Sequence, residues 1–261
     1  QRASATARTQ PEVILDLEQI FVIYKPPHWR CELPSKDALH EDAEGRGQRD
    51  PLILLRWIRE KLLSIDQKLF EEDFNPALSG TGFGPLSHRI DQETSGPLLV
   101  AKTSVAQRHL KAQFHRTEVS KRYICLVHGR MANGRGVVDA SIRTYRTDSM
   151  TLSEVSSSGD WARTDYQVIA TYAGGQRGGS AGYSLVACDI KSGRTHQIRA
   201  HLAWRGHPLV ADANYNPRGQ ARSHFAWCHR LWLHCQLMRV QDLEARELEL
   251  RAPLPADLRA V

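Results

Sequence analysis

The 261-residue chain has no run of apolar residues long enough to cross a membrane as a helix, which needs roughly 20 in succession. Cysteine is scarce as well: the five residues are an odd number and form no Cys-x-x-Cys pair. Several of them lie inside apolar segments. We therefore expect buried, reduced thiols in an intracellular protein. The chain begins with Gln1 and not with methionine, so its compartment within the cell stays open.

Signatures of several enzyme classes are also missing. The glycine-rich segment 173–182 lacks the Lys-Ser/Thr pair of a phosphate-binding loop and precedes a strand-like segment, so it is predicted to be a hairpin loop. No Gly-x-Ser-x-Gly is present, which argues against a serine hydrolase. His196, His201 and His207 lie five and six residues apart, unlike the i, i+4 zinc pattern, and we expect no metal.

The apolar pattern predicts an α+β fold with a mixed, mostly antiparallel central sheet and flanking helices and loops. Residues 1–12 are polar and are expected to form a disordered tail, with a single domain over 13–261. Strands are predicted at 13–15, 20–24, 98–101, 121–128, 137–142, 165–172, 183–190, 231–240 and 247–251, and helices from Pro51, from Ser104 as a cap, and over 195–204. In the strand 121–128, alternate residues face opposite sides of the sheet.

Positive charge is concentrated in one part of the chain, whose formal net charge is +6. Between Asp189 and Arg230, only Asp189 and Asp212 oppose seven basic residues, namely Lys191, Arg194, Arg199, Arg205, Arg218, Arg222 and Arg230. A local cationic field of this kind suits a polyphosphate such as a nucleic acid. A solvated basic face explains the same charges equally well.

Three segments, in order, resemble the motifs of the RluA-type pseudouridine synthases: residues 88–96 (HRIDQETSG), 120–123 (SKRY) and 192–202 (SGRTHQIRAHL). Residues 20–27 resemble the strand and Lys-Pro turn that open that domain, and residues 206–212 (GHPLVAD), Tyr215 and the pair Leu233-His234 resemble its later signatures. The resemblance spans residues 13–253. It departs from the family at Ile90, at Pro97 and in an expanded stretch at 65–86.

The resemblance implies the pseudouridine synthase catalytic fold, with an active site in a central basic cleft. It implies an isomerase that detaches uracil from C1′ and rejoins it through C5, and this chemistry needs no cofactor. Asp91 matches the catalytic carboxylate, and Arg199 matches the arginine that pairs with it. Tyr123 matches the tyrosine that stacks on the target base and is placed to help remove the C5 proton. Arg89 matches the residue that displaces the target nucleotide.

Further candidates for RNA contacts or motif support are Ile90, Thr94, Lys121, Arg194 and His196. We expect a tRNA, rRNA or other structured RNA as the partner, no membrane, and a monomer. The main rival is a catalytically inactive RNA-binding protein with the same fold. A hydrolase that uses Asp, His and Ser and a metal-dependent nuclease are further alternatives.

Overall fold

The computed structural model describes residues 9–31, 53–63, 85–147, 150–173, 182–216 and 227–260. The chain divides into two compact units. The first unit contains the described residues within Arg8–Glu118 and Val240–Leu250, and the second contains those within Val119–Arg239 and Arg251–Val261. Within the described ranges, no helix combines the length and the apolar character that a membrane crossing demands.

A three-stranded antiparallel sheet forms the centre of the first unit. Its strands are β1 (Glu12–Asp16), β2 (Ile20–Lys25) and β3 (Gly96–Ala101), in the order β1-β2-β3. All six residues of the central strand β2 are buried. Pro97 lies in β3 opposite Tyr24. Proline is tolerated there because β3 is an edge strand of this sheet.

Among the described residues of this unit are two helices, α1 (Leu54–Leu63) and α2 (Ser104–His115). The predicted start of α1 at Pro51 lies outside the described residues. The predicted cap of α2 is wrong by one position: the N-cap is Thr103, whose Oγ1 accepts a hydrogen bond from Ala106 N at 3.1 Å. Threonine and serine are both favoured at this position, so residue type alone does not choose between neighbours.

The larger sheet has the strand order β11-β10-β4-β9-β8-β5. Its strands are β4 (Ser120–His128), β5 (Arg135–Asp139), β8 (Arg163–Tyr172), β9 (Tyr183–Ile190), β10 (Leu233–Gln241) and β11 (Glu247–Arg251). The pairs from β10 through β4, β9 and β8 to β5 are all antiparallel. The hairpin β6 (Ile142–Arg146) and β7 (Thr151–Val155) and the helices α3 (Gln197–Trp204) and α4 (Ala256–Arg259) lie in the same unit as β4.

The prediction that alternate residues of the strand 121–128 face opposite sides of the sheet is confirmed. Tyr123, Cys125 and Val127 pack in one hydrophobic cluster together with Ile198 and Leu202 of α3. Ile124 and Leu126, which alternate with them, pack in a second cluster that includes Val210, Trp232 and Leu258. β4 is therefore a central strand with apolar side chains on both faces, and one of those faces is covered by α3.

The α+β class with mostly antiparallel sheets is confirmed. The predicted strand 137–142 is confirmed over 137–139 and wrong after Asp139, where β5 ends. Ala140 N donates to Ala162 O at 3.1 Å, and Ile142 N donates to Asp160 O at 2.8 Å. The five cysteines are buried free thiols, as expected. The glycine-rich segment joins β8 and β9, which are antiparallel neighbours, although its residues 174–181 lie outside the described part.

Candidate active site

The loop that contains Asp91 is fixed by hydrogen bonds from the end of β2. The ammonium group of Lys25, which is 0% exposed, donates to Pro26 O and to Gln92 O at 2.9 Å each. His28 N also donates to Gln92 O, at 2.8 Å. The Gln92 side chain in turn donates to His28 O and accepts from Arg30 Nε, at 3.2 Å each. The backbone directly after Asp91 is thus fixed from several directions.

A buried thiol lies against the other side of this loop. Cys31 Sγ donates to Ile90 O at 3.5 Å. Burial raises the pKa of Cys31, the positive charges of Lys25 and Arg89 lower it, and the negative charge of Asp91 raises it. These electrostatic effects show that the three charged side chains act on one buried position, which is where the Lys-Pro turn meets the Asp91 loop.

The remaining residues of the segment 88–96 divide into buried and accessible positions. Ile90 and Thr94 are buried, Asp91 is half-buried and Arg89 is exposed. Thr94 N donates to Asp91 O at 3.0 Å, which closes a turn at the aspartate. Thr94 Oγ1 is buried without a hydrogen-bond partner among the described residues. His88 accepts a hydrogen bond from Leu99 N at 3.1 Å and ties the start of the segment to β3.

In the second unit, Tyr123 and Lys121 project from β4 at alternate positions and therefore share a face. Tyr123 lies opposite Cys188 of β9 and Cys235 of β10 and is buried in the cluster that α3 covers. Burial raises the pKa of Cys235 to about 12, although a side-chain hydrogen bond with Tyr123 and the charge of Lys121 act in the opposite direction.

Lys121 supports the loop that precedes α3. Its ammonium nitrogen is buried and donates to Ser192 O at 3.2 Å and to Lys191 O at 3.4 Å. A Cβ added at Gly193 would lie 3.1 Å from this nitrogen, so glycine permits the close approach. Burial lowers the pKa of Lys121 to about 8, and the nearby Cys235 thiol acts in the opposite direction. Through these contacts Lys121 supports the loop that precedes α3.

Gln197, at the start of α3, connects the same loop to β8. Its Oε1 accepts from Ser192 Oγ at 2.9 Å and from Arg194 N at 3.1 Å. Its Nε2 donates to Arg163 O at 2.9 Å and to Thr164 Oγ1 at 3.2 Å. The amide is buried and uses both of its donors and both acceptor positions, as a buried amide must to offset its lost hydration.

His201 makes a second buried connection between α3 and the sheet. Its Nε2 lies 2.9 Å from Ala140 O, and its Nδ1 lies 2.8 Å from Thr164 Oγ1. A carbonyl oxygen can only accept, so Nε2 carries the proton and Nδ1 accepts from the threonine hydroxyl. Burial lowers the pKa of His201, and the hydrogen bond to Ala140 O acts in the opposite direction. His201 is therefore a buried structural residue, and its burial favours the neutral ring.

Arg199 lies on α3 and forms a buried bidentate ion pair with Asp212. Its Nε donates to Asp212 Oδ2 at 2.7 Å and its Nη2 donates to Oδ1 at 2.8 Å. The two side chains are 8% and 0% exposed. Bidentate pairs of this kind fix the plane of the guanidinium group. The structure thus places a carboxylate from the segment 206–212 on the arginine of the third motif.

Tyr215 contacts both His196 and Arg199. The guanidinium carbon of Arg199 lies 5.1 Å from the centre of the tyrosine ring, within cation–π range. His196 Nδ1 lies 3.1 Å from the Tyr215 hydroxyl. His196 is the N-cap of α3 with a positive φ of 52°, so the predicted helical turn at 195–196 is absent. Both residues nevertheless converge on one aromatic ring.

The basic stretch between Asp189 and Arg230 contributes less surface charge than its composition indicates. Arg199 and Arg230 are buried and paired with Asp212 and Asp257. Arg194 is exposed, and its Nη1 lies 3.5 Å from Asp160 Oδ2. Arg218 and Arg222 lie outside the described residues. The interpretation of this stretch as one cationic face is therefore wrong for its two buried arginines.

Comparisons with known proteins identify the family of this chain. A family model described as RNA pseudouridylate synthase matches residues 19–204. This chain belongs to that family. The match covers the loop of Asp91, the strand of Tyr123 and the helix of Arg199, so the resemblance of the three motifs is confirmed at the level of the family.

Relatives and solved structures agree with this membership. An uncharacterized RNA pseudouridine synthase of Bacillus subtilis is 33% identical over 178 residues, which cover 66% of this chain and 52% of that protein. Ribosomal large subunit pseudouridine synthase C of Vibrio cholerae is 36% identical over 178 residues, covering 67% and 53%. The human RNA pseudouridylate synthase domain containing 1 has the same fold, with a TM-score of 0.67 at 22% identity over 94% of this chain and 84% of that one. The chain spans about half the length of the curated relatives that it matches.

Several residues of the candidate site could not be assigned from the sequence. Asp212 and Tyr215 were recognised only as family signatures, without a role, and Gln197 was part of a motif without one. The signal that could have identified these three residues is a polar side chain that is buried inside a family motif. Burial, however, is known only from the structure. Among the described residues, no group of three or more His, Cys, Asp or Glu side chains is arranged to hold a metal ion.

Proposed function

We propose that this pseudouridylate synthase family member is an active RNA pseudouridine synthase that isomerises specific uridines in RNA. The main support is the family match over residues 19–204, which includes Asp91, Tyr123 and Arg199. Further support comes from the local geometry: the Asp91 loop is fixed by hydrogen bonds, and Arg199 is fixed by a buried ion pair.

The reaction is an isomerisation in which atoms balance without an oxidant or a second substrate. The bond between C1′ and N1 of uridine breaks, and a bond between C1′ and C5 forms. The hydrogen at C5 leaves as a proton, and N1 takes up a proton. The protein must therefore supply a carboxylate, a way to hold the detached uracil and a path for one proton, and no cofactor is needed.

In this proposal Asp91 is the catalytic carboxylate, which either adds to a carbon of the target nucleotide or removes a proton from its sugar. Arg199 keeps the carboxylate ionised and oriented, because an adjacent cation favours the charged form. Tyr123 stacks on the uracil and takes part in removing the C5 proton. Arg89, which is exposed, is proposed to displace the target nucleotide from its stack.

The five secondary candidates divide by their surroundings. Arg194 is exposed and is proposed as a phosphate contact. His196 holds Tyr215, and Lys121 holds the loop before α3. Ile90 and Thr94 are buried and are proposed to shape the Asp91 loop. Large-subunit ribosomal RNA is the first substrate to test, because relatives such as the Vibrio cholerae protein are named for the ribosomal large subunit; tRNA is the second.

The decisive experiment substitutes Asp91→Asn. RNA carrying tritium at C5 of uridine is incubated with each protein, and the released tritium is counted. We expect the wild type to release tritium and Asp91→Asn to release none, while RNA binding and the melting temperature are retained. Asp16→Asn, which removes an exposed carboxylate from the same unit, is the matched control and should keep full activity. Activity retained by Asp91→Asn would show that the assignment is wrong.

The rival proposal, an inactive RNA-binding protein of the same fold, is decided by the same assay. A wild-type protein that binds labelled total RNA but releases no tritium from it would support the rival. We also propose that residues 13–261 act as one catalytic domain, since the family match runs through parts of both compact units. The proposal includes an intracellular location and a monomeric state. Light scattering of the purified chain measures the oligomeric state.

A further inference from the structure

We infer that Asp212 and Tyr215 are positioning residues for Arg199, which they hold from its edge and from one face. The inference rests on the proposed function, in which Arg199 orients the catalytic carboxylate. It concerns the segment that follows α3, which the three motifs do not include.

Asp212 constrains the edge of the guanidinium group. Two of the five N–H bonds of Arg199 are committed to its carboxylate, at 2.7 Å and 2.8 Å. Because the guanidinium group is planar, these two contacts determine the directions of the other three N–H bonds. They are the bonds through which Arg199 can act on a further anion.

Asp212 is itself held in a compact turn. Asn214 N donates to its Oδ1 at 3.0 Å. Asn216 Nδ2 donates to Asp212 O at 2.8 Å and to Leu209 O at 2.6 Å, which closes the turn around the aspartate. Ala211, directly before Asp212, has a φ of 57°, in the left-handed region that residues other than glycine rarely adopt. Strain of this kind persists only where the surrounding contacts enforce the conformation.

Tyr215 constrains the face of the guanidinium group. The tyrosine hydroxyl donates its one proton to Ser153 O and accepts from Ser153 N, at 2.9 Å each. It therefore accepts from His196 Nδ1, which must carry a proton on that nitrogen. These three contacts fix the ring that lies 5.1 Å from the guanidinium carbon of Arg199. The ring and the carboxylate together constrain the orientation of Arg199.

The test compares rates with affinities. The substrate is tritium-labelled total RNA from cells that lack the gene. Two quantities are measured from the tritium release: the single-turnover rate, and the protein concentration that gives half of the maximal rate. Asp212→Asn keeps the size of the side chain and removes its charge. We expect its rate to fall about a hundredfold, as for a misplacement of about 1 Å in a catalytic group, while the half-maximal concentration changes less than about threefold.

Two tyrosine variants separate the ring from the hydroxyl. Tyr215→Phe keeps the ring beside Arg199, and Tyr215→Leu removes it, whereas both lack the contacts with Ser153 and His196. We expect Tyr215→Phe to be at least about fivefold faster than Tyr215→Leu, since a partly buried cation–π contact is worth about that factor. Equal rates for these two variants would show that the tyrosine ring does not position Arg199.

Asp257→Asn is the matched control. It breaks a second ion pair of a buried arginine in the described part of the same unit, in which Arg230 Nε donates to Oδ2 of the partly exposed Asp257 at 2.6 Å. This variant should lose stability but keep the wild-type rate. If Asp257→Asn slows the reaction as much as Asp212→Asn does, the effect of Asp212 is a general loss of structure and the inference is wrong.

The outcomes separate the inference from the proposed function. A wild type that releases no tritium from any RNA refutes the proposed function. An active wild type with wild-type rates in Asp212→Asn and Tyr215→Leu refutes the inference alone. If Asp212→Asn does not fold by circular dichroism, the comparison of Tyr215→Phe with Tyr215→Leu decides.

Discussion

The buried ammonium group of Lys121 should give the stability of the protein a pH dependence that one substitution removes. Burial lowers the pKa of this lysine from 10.5 to about 8. At about 1.4 kcal/mol for each pH unit, the difference between these two values corresponds to about 3 kcal/mol. This is the cost of keeping the charge in the folded protein at neutral pH.

The direction of the effect follows from which state binds the proton. Below pH 8, Lys121 is charged in the folded and the unfolded protein, and the full cost is present. Between pH 8 and 10.5 the unfolded state keeps the proton that the folded state has lost, so the free energy of unfolding rises with pH. Buried thiols act in the opposite direction, because burial raises the pKa of Cys235 to about 12 and the folded thiol stays protonated.

Urea denaturation at pH 7 to 10.5 measures this contribution by difference. The free energy of unfolding of the wild type, minus that of Lys121→Met, should increase by about 3 kcal/mol over this range. The subtraction removes the contribution of Cys235, because its folded thiol, with a pKa of about 12, stays protonated up to pH 10.5, and loss of the Lys121 charge removes an influence that lowers this pKa. Lys191→Met, at an exposed position in the loop that Lys121 supports, is the control for loss of a positive charge. A difference between wild type and Lys121→Met that stays constant with pH would refute the reasoning.

Two further predictions concern the buried connections of α3. Gln197→Leu should lower the free energy of unfolding by about 3 kcal/mol in urea titrations, because it leaves the buried Ser192 Oγ and the partly buried Arg163 O without their amide partner. A loss below about 0.5 kcal/mol would show that these groups regain partners. Burial lowers the pKa of His201, so the folded state resists its protonation, and stability present above pH 6.5 should be lost as the pH falls below it. Thermal melts of His201→Gln should show a smaller loss between pH 6.5 and 5, and an equal loss would contradict the assignment.

The periodic parts of the fold were predictable from the sequence. Alternation along β4 separated Tyr123 and Cys125 from Ile124 and Leu126, because side chains of a strand face opposite sides at every step. The strand Tyr183–Ile190 was predicted with its observed bounds. An apolar face of a strand must be buried wherever the strand lies in the fold. Such strands can therefore be predicted without knowing which segments pack against them.

Boundaries and polar segments were not predictable in the same way. The break between β5 and β6 depends on backbone hydrogen bonds to Asp160 and Ala162, some 20 residues away in sequence. The hairpin of β6 and β7 lies in a stretch where no strand or helix is predicted after residue 142. Its residue Ser153 is buried because it meets Tyr215, and a serine is equally compatible with an exposed loop.

The sequence alone determined which chemistry to look for. Asp91, Tyr123 and Arg199 occur in three ordered segments that match one family, and the type and order of residues were enough to recognise it. Their catalytic roles stay predictions that the substitutions above test. The α+β class also followed from the pattern of apolar residues.

Only the tertiary structure decided what surrounds those residues. It placed Asp212 and Tyr215 on Arg199, put Lys121 under the loop before α3, and made Gln197 and His201 internal connections. The physical reason is that an arginine, a lysine or a glutamine has the same letter whether it contacts water, a ligand or another buried group. Which of these it contacts depends on which distant segments the fold brings against it.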